Sequence, residues 1–187
     1  GFYYLCIAIT LYHFITSFVG TPVVLKHRSL HVSMMLVLTF IMYPFSKKSN
    51  YKSIAWYDWI LIALSLAAPL YIWTDFLGVV ERAGMPDFMD EVMATILVLL
   101  VLEASRRVSG WALVILSALF ILYGLFGRDM PGLFGHRGYN WTNRSNHFFA
   151  KTEGIYGTSV SVAASYVYLF ILFGAVMGKS GMGAFFN

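Results

Sequence analysis

Six long apolar runs separated by short charged clusters dominate the sequence. They are roughly Phe2 to Val19, Leu30 to Phe45, Trp56 to Phe76, Met89 to Ala104, Val108 to Gly127 and Val160 to Gly178. A helix needs about 17 to 25 mostly apolar residues to cross a hydrocarbon core about 30 Å thick, and the second and fourth runs lie at the short end of that range. The runs are continuous and do not alternate, which favours helices over barrel strands. With 59% hydrophobic and only 12% charged residues, the chain holds more apolar surface than one water-soluble core can hide. The expected fold is therefore all-α, a polytopic transmembrane helix bundle of about six spans.

The charges support the same reading. The formal net charge is +4, but the basic residues sit in short clusters between apolar runs, the pattern of topology determinants, and nucleic acid is set aside as a partner. Lys47, Lys48 and Lys52 precede the third run, whereas Asp75, Glu81, Asp87, Asp90 and Glu91 come after it with Arg82 as the single basic residue. Aromatic belts mark both ends of that run: Trp56, Tyr57 and Trp59 on one side, Tyr71 and Trp73 on the other. The positive-inside rule puts the lysine loop and the Arg106–Arg107 turn in the cytoplasm and the acidic loop outside; Lys26 and Arg28 run against it. Between the fifth and sixth runs, Arg128 to Gly157 combines Pro131 with glycines and aromatics, and is expected to lie along the interface or to form short re-entrant pieces.

Few residues carry a chemical signal. Cys6 stands alone, which excludes an intrachain disulfide and a multi-cysteine zinc site. Gly174 to Ser180 resembles a phosphate-binding loop, but three residues rather than four separate its glycines, and no strand precedes it. The same residues supply Gly174-x-x-x-Gly178, a small-residue packing face accompanied by Ser161-x-x-x-Ser165, with Lys179 snorkelling at the helix end. His27 and His31 have the spacing of a metal pair but no third ligand nearby, and read as polar residues at a helix boundary. His13, deeper in the first run, reads as a hydrogen-bonded packing residue rather than a proton relay. Asp58 reads as interfacial. Glu103, Arg106 and Arg107, at i, i+3 and i+4, form either a juxtamembrane pair fixing a helix end or a lock between two modules of a transporter. The acidic loop is either solvated or a docking surface. Two glycosylation-like triplets, beginning at Asn140 and Asn143, are short enough to arise by chance. No cofactor, metal or catalytic constellation is expected.

Several stretches are similar to a known family. Arg28-Ser29-Leu30-His31 leads to an apolar run ending at Tyr43-Pro44, and Leu102-Glu103-Ala104-Ser105-Arg106-Arg107-Val108-Ser109-Gly110-Trp111-Ala112-Leu113 comes next. Further on come Tyr123-Gly124-Leu125-Phe126-Gly127, Pro131-Gly132, His136-Arg137-Gly138-Tyr139, Thr152-Glu153-Gly154-Ile155-Tyr156-Gly157, and Leu169 to Gly174 with Lys179-Ser180-Gly181. In this order they resemble fused TRAP transporter permeases of the type that joins a four-helix part to a twelve-helix part. The likeness runs from about Arg28 onward and is sharpest from Glu103 to Phe186.

The resemblance implies a multi-pass protein of the bacterial inner membrane. Such a secondary transporter imports organic acids or related small solutes, delivered by an extracytoplasmic solute-binding protein and driven by an ion gradient, commonly sodium. Residues 1–105 would form the small-subunit-like domain, and 106–187 the beginning of the large transport domain, the chain being a piece of a longer protein. Glu103, Arg106 and Arg107 would then be a module junction, and Glu81, Asp87, Asp90, His136 and Arg137 a docking surface for the binding protein. Ion and substrate sites would lie beyond Asn187, so no substrate-binding residue is carried over. The alternatives are a structural membrane scaffold without transport of its own and a membrane-embedded enzyme.

Overall fold

The computed structural model describes residues 2–45, 54–126 and 141–181, with the side chains of 143–146 left aside. Among the described residues there is no strand, and every apolar run contains a helix: α1 (Phe2–Val19), α2 (Val24–Met42), α3 (Trp56–Thr74), α5 (Phe88–Ser109), α6 (Trp111–Phe126), and a last span of α8 (Thr158–Val162), a π-helical turn (Ala163–Val167) and α9 (Tyr168–Lys179). Two short helices, α4 (Phe76–Glu81) and α7 (Trp141–Phe149), lie between spans. By length and composition α1, α2, α3 and the last span, Thr158–Lys179, can each cross a bilayer, while α6 is apolar but shorter and α5 carries charges near both ends.

Local chemistry sets the boundaries. The Asp87 side chain accepts from the Asp90 amide while the Asp90 side chain accepts from the Asp87 amide at 3.0 Å, a capping box that starts α5, and Asp87 also accepts from the Phe88 amide at 2.8 Å. Gly110, at φ +85°, ends the helix where a side chain would be strained, and α6 begins one residue later. α2 starts at Val24, earlier than the apolar run, so Lys26, His27, Arg28 and His31 all lie inside the helix. The reading of His27 and His31 as boundary residues is thereby corrected: their side chains are buried in the bundle.

Lipid tails are as apolar as leucine, so helices in a bilayer associate through close packing and polar bonds rather than by leaving water. The central unit, α2, α3 and α5, shows both devices. Ala68 and Ala94 are almost wholly enclosed and let the backbones approach, with Leu36, Phe40, Ile72, Leu97 and Leu100 filling the space between. Pro69 lacks the N–H that would bond the Ser65 carbonyl one turn earlier, and Ser33 of α2 donates to that carbonyl instead. The proline's missing bond thus becomes an interhelical one.

The described part of the polar stretch, 141–157, is α7 and a set of turns. Two of its aromatics face inward: Phe149 and Tyr156 join the core, with Phe149 against Tyr71 of α3. Gly154 is required there, because a Cβ would press on the backbone of His147 and Phe148. By contrast α6 and α9 leave most of their apolar side chains uncovered.

Candidate functional site

Three polar clusters organise the bundle. The first lies where α3 begins and α5 ends. Glu103 receives Nε and Nη2 of Arg106, each at 2.8 Å, and Nε of Arg107 at 2.7 Å. Arg107 also reaches Asp58 of α3, Nη1 to Oδ1 at 2.8 Å, and donates to the Tyr43 carbonyl beyond α2 at 3.0 Å. Its side chain is 0% exposed and that of Asp58 4% exposed. Arg106 lies over the rings of Phe45 and Trp111 and Arg107 over Phe40, so delocalised cations rest on aromatic faces where water is scarce. The Asp58–Arg107 contact is not aligned as a hydrogen bond, and Arg107 Nη2 is enclosed without a hydrogen-bond partner among the described residues. Asp58, in the first turn of α3, is the buried counter-charge of Arg107. Sequence reasoning missed this pair, although alternation of spans puts the start of α3 and the end of α5 at one face of the membrane.

At the opposite end, Arg82 bridges Asp75 (Nη2 to Oδ2, 2.7 Å) and Asp90 (Nε to Oδ2, 3.0 Å), while Tyr71 donates to Asp90 Oδ1 at 2.7 Å. The Asp90 bond first and the Asp75 bond second hold the Arg82 guanidinium above its already high ordinary pKa. Nearby, Lys26 rests over Trp73 and Phe76, and Arg28 donates to the Tyr156 carbonyl at 2.7 Å, fastening α2 to the turn before the last span. The Tyr156 hydroxyl is enclosed without a hydrogen-bond partner among the described residues, and burial pushes its pKa well above that of an ordinary tyrosine.

The third cluster lies within the spans. His13 Nδ1 is 2.9 Å from the Ile9 carbonyl, which can only accept; in the neutral ring Nδ1 therefore carries the proton and Nε2 accepts. His31 Nδ1, 2.8 Å from that Nε2, is then the donor. Tyr12 bonds His27 Nδ1 at 2.9 Å, Tyr168 stacks on His13 at 4.1 Å between centroids, and the Tyr168 hydroxyl bonds Thr10 at 3.0 Å. The reading of His13 as a hydrogen-bonded packing residue fits this geometry, but its partners lie on α2 and the last span and were not legible locally. Among the described residues no group of three or more histidine, cysteine, aspartate or glutamate side chains is arranged to hold a metal.

The remaining expected site residues are dispersed. Glu81 and Asp87 are exposed at the α4 end, whereas Asp90 is 4% exposed and fully engaged, which removes it as a docking residue. His136 and Arg137, like Lys47, Lys48 and Lys52, lie outside the described residues. Ser165 donates to the Ser161 carbonyl. Gly174 and Gly178 are exposed, and a Cβ at either would meet nothing within 4 Å, so that face packs on no described part of this chain.

Residues 96–187 match the family model described as "Tripartite ATP-independent periplasmic transporter, DctM component". No curated protein and no solved structure gave a match.

Proposed function

From a chain that belongs, through its residues 96–187, to the TRAP transporter permeases, and so is a membrane component of such a transporter, we propose a finer role: importing organic acids or related small solutes. The solute is received from an extracytoplasmic binding protein and moved across the bacterial inner membrane by an ion gradient, with sodium as the coupling ion. The observation that carries this reading is the match itself, which covers most of α5, α6, α7 and the whole of the last span.

Residues 1–105 act as a small-subunit-like arm, and 106–187 open the transport module. In support, the family match begins at residue 96, close to that division. Glu103, Arg106 and Arg107 serve as the junction, since Arg106 touches Glu103 on one side of the division and Trp111 on the other. Glu81 and Asp87, exposed at the α4 end, dock the binding protein together with His136 and Arg137. Charge complementarity at such a rim would speed encounter more than it tightens binding.

Uptake of candidate organic acids by the full-length protein in proteoliposomes tests the reading, with and without its binding protein and with and without a sodium gradient. Uptake that needs both supports it, and uptake indifferent to the binding protein refutes it. Glu81→Lys should slow binding-protein-dependent uptake while leaving the protein folded. A scaffold without transport of its own is the alternative, and it predicts no uptake under any of these conditions.

A further inference from the structure

A groove between α5 and α7 has a chemistry that the polar clusters do not use. It is lined by Phe88, Glu91, Val92, Thr95, Ile96 and Trp141. At about 280 Å³ it falls just below the range of about 300–1,000 Å³ in which pockets engulf a small solute, so it suits a chain laid along it. Phe88, Val92, Thr95, Ile96 and Leu99 fall on one face of α5, and Phe88 and Leu99 are 73% and 60% exposed, so the groove opens on the outer surface of the helix. Its polar groups satisfy one another with one exception. Trp141 Nε1 donates to the Thr95 hydroxyl at 3.2 Å, and that hydroxyl donates to the Glu91 carbonyl at 2.7 Å. The Glu91 carboxylate has no hydrogen bond or ion pair among the described residues. Three described cations of this end are engaged elsewhere: Arg82 on Asp75 and Asp90, Lys26 over Trp73 and Phe76, and Arg28 on the Tyr156 carbonyl.

We propose that this groove holds a membrane lipid with a primary-ammonium headgroup, the ammonium donating to Glu91 and one acyl chain lying along Val92 and Ile96 against Trp141. Glu91 is in the first turn of α5, and Ile96 lies about 7 Å further along the helix axis, so a carboxylate at the rim is followed by an apolar wall leading into the hydrocarbon. The carboxylate selects the cation, the wall takes the chain, and an indole beside the rim attracts the ammonium and suits the headgroup level. Anionic headgroups are repelled by Glu91 and by Glu81 and Asp87, exposed at the same end. A lysine of a protein partner also carries an ammonium, but its stem ends there and would leave Val92 and Ile96 uncovered. The proposal goes beyond the transport reading and stands whatever the solute or coupling ion.

The test is native mass spectrometry of the full-length protein released from nanodiscs made of equal parts phosphatidylethanolamine and phosphatidylglycerol. Among the last lipids to dissociate, phosphatidylethanolamine should exceed phosphatidylglycerol by about tenfold, the ratio that one charge-assisted hydrogen bond supports. Glu91→Gln, which keeps the shape and removes the charge, should bring the ratio near parity, and Ile96→Trp, which fills the groove, should lower the lipid retained. Trp141→Phe locates the site: the emission lost in that variant should be the part quenched more by brominated-chain phosphatidylethanolamine than by brominated-chain phosphatidylglycerol. No preference in the wild type, a preference that survives Glu91→Gln, or equal quenching by the two lipids overturns the proposal. Survival of the preference together with weaker capture of the binding protein by Glu91→Gln would make the groove a docking surface instead. Should Ile96→Trp fail to fold, the Glu91→Gln ratio and the quenching still decide.

Discussion

The two ends of the bundle use the same chemistry in different surroundings. At the Asp58–Arg107 end, two arginines and two carboxylates are packed among Phe40, Phe45 and Trp111, and the Arg107 side chain is wholly enclosed. At the α4 end, Arg82 also serves two carboxylates, but its side chain is 32% exposed and that of Asp75 47% exposed. The distances are nearly equal, so distance alone would rank the clusters together. Burial separates them: an enclosed charge that loses its partner cannot recover solvation, whereas a rim charge turns to water.

The sharpest way to break this comparison is Arg107→Met, which leaves Asp58 enclosed and unpaired. A loss of about 3–5 kcal/mol is expected, read as a fall in the thermal midpoint in detergent, and much of it should return in the double variant Asp58→Asn/Arg107→Met. If the single variant matched wild type, the cluster would have to be hydrated and the contrast would fail. Next comes Asp90→Asn, the buried member of the otherwise exposed cluster, which weakens a capping box and the Arg82 pair together. It should cost about 1–2 kcal/mol by the same measurement, with fraying visible in exchange at the start of α5.

Ser33→Ala supplies an uncharged control between the two ends. Leaving the Ser65 carbonyl without its substitute donor should cost about 1 kcal/mol, and adding Pro69→Ala, which restores a backbone N–H one turn later, should recover part of it. Smallest of all is Asp75→Asn, whose half-exposed carboxylate should leave the thermal midpoint within error of wild type. Salt sharpens the same point, since raising ionic strength should loosen the Arg82–Asp75 contact and leave Arg107 untouched.

The range of each interaction decides how much of it was legible in the sequence. Trp56–Thr74 could be bounded from its aromatic belts almost to the residue, and Glu103 with Arg106 and Arg107 from helical spacing, because both patterns are local. His27 and His31 were misplaced because the second apolar run was taken to begin at Leu30, and a polar first turn inside a bundle looks in sequence like a polar loop. Asp90 was taken for a docking residue since a carboxylate in an acidic loop gives no local sign that Arg82 and Tyr71 will enclose it.

By itself the sequence determined that this chain is a set of membrane helices, roughly where each lies, and, through resemblance, the transporter family. Those properties depend on runs of neighbouring side chains and on the energy of placing them in lipid. Only the tertiary structure decided which polar groups meet: Asp58 with Arg107, Ser33 with the carbonyl that Pro69 leaves free, His13 with His31 and Tyr168. Such partners lie 18 or more residues apart on different helices, and they are chosen by the depth and facing of those helices, which the composition of no single run specifies.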